Sequence, residues 1–328
     1  MKLCVFGAGS VGGFVGGLLS KYSKTQVAVI ARGKHLEAMQ RNGLCVASEG
    51  KKFVTSIRAT DTPSELGVQD IVFLAVKAHS ILDAAKAMQP LIGPNTTVVS
   101  AQNGIPFWYF YKHGGKFEGQ ILKSVDPEGK IAQMVGLERV VGCVITSSNI
   151  LEKPGKVRNI ANRTFVLGEP DGTISTRIKK ISTILDDVGL NSPISNDIRA
   201  EIWLKMWGNI SFSPLAVLTT STLGPLVEDK DLQSLAISII KEAQAVSKAL
   251  GVELKVSIRD RINATRKASE HKTSILQDLE AGRPMEVDQI TGAVIELANM
   301  LGIDTPMTDL IYFLLRQRAQ QAGLYLKT

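Results

Sequence analysis

Residues Lys2 to Gly17 read KLCVFGAGSVGGFVGG. A short apolar run leads directly into Gly7-Ala8-Gly9-Ser10-Val11-Gly12, and a helix-like segment follows. The order strand, glycine turn, helix is what gives G-x-G-x-x-G its meaning, because each glycine then has its own task. Gly7 permits the tight turn, Gly9 lets the backbone approach a pyrophosphate, and Gly12 lets the helix pack close to the strand. The pyrophosphate is expected on the free N–H groups and positive dipole end of that helix, with Ala8, Ser10 and Val11 around it. Glycine also marks ordinary turns. Here a second apolar run, residues 26–31, follows at the interval that a βαβ unit requires. The stretch therefore points to dinucleotide binding.

The end of the second run bears on which dinucleotide. A site for NAD places Asp or Glu there, to accept hydrogen bonds from the ribose 2′-OH. This chain has Ala31-Arg32-Gly33-Lys34. Two cations without a carboxylate suit a 2′-phosphate, and the planar fork of Arg32 matches phosphate geometry. A solvated basic turn is the plainer alternative, but with the glycine turn upstream the pattern favours NADP (NADPH) over NAD.

At 328 residues the chain has material for two cores. Its net charge of +7 is spread along the sequence. No basic stripe is interleaved with aromatics, so nucleic acid is not an expected partner. Cys4, Cys45 and Cys143 are odd in number and far apart, which gives neither a disulfide framework nor a metal-ligand spacing. This usage fits a reducing, cytoplasmic setting. His35, His79, His113 and His271 are equally dispersed, and no metal site is expected. The first residues already form the strand of the glycine motif, so no signal peptide is expected, and no apolar run is long enough to span a membrane.

Up to about residue 190, short β-rich runs alternate with helical stretches. Strands are expected at Lys2–Phe6, 26–31, 70–75, Thr97–Ser100, 140–146 and 164–167, with a hairpin-like pair at 42–48 and 52–56. Such alternation implies a parallel sheet with crossover helices, an α/β arrangement of the Rossmann type. A further helix is expected at 176–188. From about Asp197 strand-like runs disappear. Helical patterns cover 198–212, 232–250, 258–268, 277–281, 284–301 and 306–322. The expected organisation is a dinucleotide-binding domain over 1–195 and an all-α domain over 196–328. The apolar helices of the second are compatible with a homodimer without requiring one.

Three groups of residues carry chemical potential. In Glu201-Ile-Trp-Leu-Lys205-Met-Trp-Gly208-Asn209-Ile-Ser-Phe-Ser213-Pro214, the residues Lys205, Asn209 and Ser213 recur every four positions. On one helix they would form a polar stripe, with Trp203 and Trp207 packed into the domain. A surface lysine paired with Glu201 is the bland alternative. It leaves Gly208 unexplained, since glycine inside a helix costs about 1 kcal/mol against alanine. Close approach of a ligand or of backbone would account for it. In the second group, Ser274, Asp278, Glu286 and Asp288 flank the Gly282-Arg283-Pro284 turn. Pro284 suits a first helical turn and Glu286 the dipole there. In the third, Lys77 and Asn103 follow expected parallel strands, at the ends where such folds bind ligands.

Together these residues resemble the ketopantoate reductase (2-dehydropantoate 2-reductase) family, nearly end to end. The resemblance rests on Gly7–Gly12, Arg32-Gly33, Val76-Lys77, Gln102-Asn103-Gly104, Trp203-x-Lys205-x-x-x-Asn209, Pro214-Leu215, Thr222-Leu223-Gly224, Ser274-x-x-x-Asp278 and Glu286-x-Asp288. The Lys-x-x-x-Asn pair is also similar to that of β-hydroxyacid dehydrogenases. The resemblance implies a helical domain like that of 6-phosphogluconate dehydrogenase. It implies NADPH-dependent reduction of ketopantoate, a small 2-oxo acid, to pantoate in pantothenate biosynthesis. Lys205 would be the general acid, with Glu286 near it and near the nicotinamide ribose. Asn103, Asn209, Ser213 and Ser274 would hold the substrate, Ser274 near its carboxylate. Lys77, Asn103 and Ser147 would touch the cofactor.

One position departs from the family pattern. Ser213 stands where family members often carry an asparagine, and a hydroxyl is shorter and makes fewer hydrogen bonds than an amide. That leaves room for a different substrate tail. Two alternatives stay open on the sequence: a paralogue reducing another 2-oxo acid, and a non-catalytic NADP-binding sensor.

Overall fold

The opening apolar run forms β1 (Lys2–Phe6), and the glycine turn leads into α1 (Ser10–Tyr22). The computed structural model describes residues 1–326, which divide into two units. Met1–Gln120 and Gly129–Ile198 make up the first; Ile121–Glu128 and the described residues from Arg199 onward make up the second.

In the first unit the chain continues through β2 (Gln26–Ile30), α2 (Gly33–Asn42), β3 (Leu44–Ser48), β4 (Lys51–Thr55) and β5 (Arg58–Thr60). Next come β6 (Ile71–Leu74), α3 (Ile81–Ala87), β7 (Thr97–Ser100), α4 (Lys130–Val135), β8 (Val140–Lys153), β9 (Lys156–Gly168) and α5 (Thr176–Asp186). All nine strands join one sheet in the order β4-β3-β9-β8-β7-β6-β1-β2-β5. From β8 to β5 the neighbours are parallel. Strands β6 and β7 are buried along their whole length, as expected of parallel strands covered on both faces.

The sheet is mixed, not purely parallel: β8 and β9 pair antiparallel, as do β3 and β4. The chain reverses at Pro154-Gly155, where Gly155 takes φ +73°, and so short a link can join only antiparallel neighbours. Both hairpin strands far outrun the expected 140–146 and 164–167. The missed portions, 147–153 and 156–163, are rich in Ser, Asn and charged residues and lack an apolar period. Their polar groups are satisfied across the hairpin instead: the Asn159 amide donates to Asn149 Oδ1 at 3.1 Å and to Asn162 O at 2.9 Å.

The second unit is helical: α6 (Ile198–Ile210), α7 (Phe212–Thr219), α8 (Leu223–Glu228), α9 (Lys230–Ala249), α10 (Ile258–Arg266), α11 (Ser274–Glu280), α12 (Ala293–Leu301) and α13 (Pro306–Gln321). No helix among the described residues is long and apolar enough to cross a membrane. Trp203 and Trp207 are fully buried, as expected. Residues 284–301 are not one helix. Met285 bridges Tyr325, a π-helical turn follows at Asp288–Gly292, and only then does α12 begin. Pro284 therefore opens no helix, and Glu286 caps none. The short excursion Ile121–Glu128 is fastened within this unit by Glu296, whose carboxylate accepts from the N–H groups of Lys123 and Ser124 at 2.7 and 2.8 Å.

Glu242 of α9 performs the same service for α13. It accepts from the N–H groups of Met307 and Thr308 at 2.9 and 2.8 Å and from the Thr308 hydroxyl at 2.6 Å. Removing this acceptor strands N–H donors of a helical first turn. Glu242→Ala is expected to cost about 1–3 kcal/mol, seen as a lower urea midpoint at unchanged m, with Glu242→Gln losing less.

Candidate active site

The strand register builds the candidate cofactor edge of the first unit. Phe6 is level with Ile30 and Leu74, Leu74 with Ser100, and Ile30 with Thr60. Gly7, Arg32, Lys77 and Asn103 therefore leave from one edge of the sheet. Gly7 adopts φ +100°, and a Cβ there would lie 2.7 Å from Val76 Cγ1. The N–H groups of Gly7 and Ala8 donate to Ile30 O at 3.2 and 2.9 Å, tying the turn to the end of β2. A Cβ on Gly12 would lie 2.1 Å from Gly7 O, so the start of α1 can sit this close to the turn only as glycine. Gly9 differs from both. It is exposed, with nothing within 4 Å of its Cβ position, and no side chain caps α1. Ser10 and Val11 are half-buried beside it, and Ala8 is buried. An open approach to uncapped helical N–H groups is what a pyrophosphate needs.

Arg32 is the N-cap residue of α2; both it and Lys34 are exposed. Residues 31–34 offer no carboxylate for a ribose 2′-OH. The edge thus fits a dinucleotide.

Two residues given no role from the sequence hold this edge in shape. His35 Nδ1 accepts from the Gly155 N–H at 2.8 Å, which places the proton on Nε2, where it donates to Ala8 O at 2.7 Å. One imidazole therefore links α2, the glycine turn and the β8–β9 reversal. Burial lowers its pKa from 6.5 and outweighs the opposing effect of the Ala8 bond. Gln102 donates to Leu74 O at 2.6 Å and accepts from the Ser100 hydroxyl at 2.6 Å, fixing the chain just before Asn103. An isolated histidine and a glutamine carry no spacing signal, so only the fold reveals them.

Lys77 and Asn103 are half-buried at the C-terminal ends of β6 and β7. Ser147 lies beyond this edge, where β8 continues past the ends of β6 and β7. Gly142 is level with Ser100, and Ser147 lies further along β8, at an irregularity of the hairpin. Its hydroxyl donates to Asn162 O at 3.0 Å and accepts from the Asn149 amide at 2.9 Å.

In the helical unit, Lys205 and Asn209 lie one turn apart on α6, both half-buried. The expected stripe ends there. Ser213 belongs to α7 and is buried, because the chain breaks at Ser211. Pro214 is the cause: it has no N–H, and its ring would clash with the carbonyl of Ile210 in a continuous helix. At Gly208 the close approach is made by a side chain. The guanidinium of Arg261 from α10 lies against it. Ser274 is exposed at the start of α11, and α11 packs on α7.

Glu286 is only 6% exposed, and its backbone is pinned on both sides. Before it, the Met285 N–H donates to Leu324 O at 2.9 Å. After it, Asp288 accepts from the hydroxyls of Tyr312 and Tyr325 at 2.9 and 2.8 Å. Asp278 accepts from Arg283 Nε at 3.0 Å and so secures the intervening turn.

Comparison with known proteins adds to this geometry. Residues 3–172 match the family model described as Ketopantoate reductase PanE/ApbA, and residues 197–319 match that of its C-terminal part. A Mesorhizobium japonicum protein named 2-dehydropantoate 2-reductase is 43% identical over 325 residues, spanning 99% of this chain and 100% of its own. A solved structure from Ralstonia solanacearum MolK2, provisionally assigned as a ketopantoate reductase, has a TM-score of 0.93 at 37% identity and covers 98% of this chain and 99% of its own. D-mandelate dehydrogenase, solved with NADH and anilino(oxo)acetate, shares the fold at a TM-score of 0.85 and 22% identity, over 99% of this chain and all of its own.

The His35 bonds make a pH-dependent prediction. With its folded pKa lowered below 6.5, the unfolded chain binds the proton more readily. The stability contributed by neutral His35 is then complete above its ordinary pKa and is lost as pH falls through the lowered folded value. The stability difference between wild type and His35→Ala should be about 1–3 kcal/mol at pH 7.5 and should shrink on acidification, in urea titrations at each pH. A difference independent of pH would show that the imidazole bonds do not contribute.

Proposed function

The chain belongs to the ketopantoate reductase family, and on that premise we propose that it reduces 2-dehydropantoate to pantoate with NADPH. The observation that carries this reading is Lys205, half-buried on α6 one turn from Asn209, in a chain whose glycine turn leaves the start of α1 uncapped. We assign dinucleotide binding to the first unit and the proton-donating machinery to the second.

Bound NADPH supplies a hydride to the ketone carbon. Negative charge then grows on the carbonyl oxygen. The Lys205 ammonium stabilises that charge and gives up a proton to it, so that 2-oxo acid, NADPH and a proton become 2-hydroxy acid and NADP⁺. Asn209 orients the substrate by hydrogen bonding. Glu286, buried and pinned between Met285 and Asp288, is the carboxylate we assign to the substrate hydroxyl and the nicotinamide ribose. Gly7 to Gly12 hold the pyrophosphate, Arg32 holds the 2′-phosphate, and Lys77 and Asn103 complete the dinucleotide contacts. Ser274 and Ser213 serve the substrate's other groups. Ser147, engaged with Asn162 and Asn149, is the remaining member of the cofactor set.

Ser213 favours a second reading. A buried serine on α7, in place of the amide frequent in the family, alters the polar complement available to a substrate tail. A paralogous reductase of another 2-oxo acid would keep the lysine chemistry while changing that complement. Loss of one polar partner can shift discrimination by orders of magnitude.

Reduced-nicotinamide absorbance, followed with NADPH and NADH against ketopantoate and a panel of 2-oxo acids, separates these readings. Preferred turnover of ketopantoate supports the first, and preference for another acid supports the second. NADPH binding without any turnover would instead support a sensor. Lys205→Ala should lower kcat about 10²–10⁴-fold while NADPH still binds. Near-normal turnover in that variant would remove the lysine from the mechanism. Arg32→Ala should weaken NADPH far more than NADH; equal weakening would refute the 2′-phosphate assignment.

A further inference from the structure

Glu286 stands at the apex of a three-residue turn. The Val287 N–H donates to Met285 O at 3.1 Å and closes the turn around it. Glu286 does not take a positive φ, so the turn is of the common inverse kind. A single backbone hydrogen bond contributes little net stability, and by itself it does not fix the apex. Helices and strands place their side chains through many such bonds. Glu286 lies in neither.

Both arms of the turn run to the same residue. On the first arm, Met285 bridges Tyr325 as in a parallel ladder, and its N–H donates to Leu324 O at 2.9 Å. On the second, Asp288 Oδ2 accepts from the Tyr325 hydroxyl at 2.8 Å. Tyr325 thus spans the turn, its backbone on one arm and its phenol on the other. Tyr312 of α13 serves the remaining oxygen of Asp288, with its hydroxyl 2.9 Å from Oδ1. Burial, and then the Asp288 carboxylate, push both phenols above their ordinary pKa, so each keeps the proton it donates.

The chain reaches this position by reversing after α13. The Gly323 N–H donates to Gln320 O at 2.9 Å and the Leu324 N–H to Ala319 O at 2.8 Å. Gly323 takes φ +69°, a conformation that costs glycine nothing at a helix end. Leu324 is buried and seats the returning segment. Met285 and Val287 are buried as well and anchor the two arms, while Tyr325 sets the spacing between them.

We propose that Tyr325 is a positioning residue for Glu286: by bracing both arms of the turn, it holds the carboxylate where the reduction requires it. The inference rests on the role given to Glu286 above, beside the substrate hydroxyl and the nicotinamide ribose. A carboxylate that serves two groups at once must be closely placed, since a displacement of about 1 Å can cost about 10²-fold in rate. The brace supplies from 40 residues away in the sequence the support that a helix or strand would supply locally.

The test is a cycle of full-chain variants: wild type, Tyr325→Phe, Glu286→Gln and the double variant. Each is assayed with NADPH and the best 2-oxo acid substrate, and urea titration follows stability in parallel. Tyr325→Phe keeps the ring and removes only the hydroxyl; it should lower kcat/KM about 10–100-fold in the folded enzyme. In the Glu286→Gln background the same change should cost no more than about 2-fold further, because the group it positions is already altered. Loss of stability, in contrast, should be similar in the two backgrounds. Where Glu286→Gln turns over too slowly to measure, NADPH affinity by fluorescence carries the same comparison. If Tyr325→Phe does not fold, Asp288→Asn, which keeps one acceptor oxygen, takes its place in the cycle. Unchanged kcat/KM in folded Tyr325→Phe, or an equal loss in both backgrounds, overturns the positioning role and leaves the reductase reading standing. Normal turnover by Glu286→Gln overturns the Glu286 assignment and this role with it. Failure of the wild type to oxidise NADPH with any 2-oxo acid overturns the reductase reading itself.

Discussion

The seat of α1 on the sheet is the constraint from which the cofactor edge follows. Gly12 fits only because it lacks a side chain, and the same is true along the buried face. Cβ atoms would come within 2.9 Å of Val157 at Gly13, 2.8 Å of Val29 at Gly16 and 2.4 Å of Val46 at Gly17. Each of these glycines costs the helix about 1 kcal/mol relative to alanine. Phe14, Val15, Leu18 and Leu19, on the rest of the helix surface, are buried in the same hydrophobic core, and full burial of such side chains contributes about 1.5–3 kcal/mol apiece. The packing therefore outweighs the propensity loss, and the helix start is held against the ends of β1 and β2. Gly9, with no packing role, is left to present open backbone.

Much of this edge was legible in the sequence because its signals are local. The glycine turn, the basic residues after β2 and the apolar runs of the central strands each carry their meaning in a few neighbouring residues. What escaped depends on contacts distant in sequence. His35 bridges Ala8 and Gly155, and neither partner can be inferred from the residues around it. The long β8–β9 hairpin escaped for a different reason. Its outer part is held by Asn and Ser side-chain bonds and not by an alternating apolar face.

The helical unit shows how periodicity misleads when backbone chemistry intervenes. Lys205, Asn209 and Ser213 are correctly spaced for one face, yet Pro214 ends the helix that would align them. Residues 284–301 have a helical apolar pattern, but Met285 is drawn into a bridge with Tyr325, and Asp288 is held by two tyrosine hydroxyls from later in the chain. These contacts hold Glu286 in non-helical backbone ahead of the π-helical turn. A π-helical turn is uncommon and is found disproportionately at functional positions. Here it re-aims the chain between a buried carboxylate and α12.

The two units use different materials, and this bears on how substrate preference can change. The dinucleotide edge is made largely of backbone: N–H groups, close glycine contacts, and carbonyls tied by His35 and Gln102. Altering it means altering the fold. The helical unit works through side chains on short helices, where one substitution changes one contact. On the proposed roles, Lys205 serves a ketone that every 2-oxo acid possesses. Ser213, on a separate helix beyond the break at Ser211, is not assigned to that common group. The break thus uncouples the position most free to vary from those that the shared chemistry fixes. A serine there can alter which tail is accepted while the reduction itself is retained.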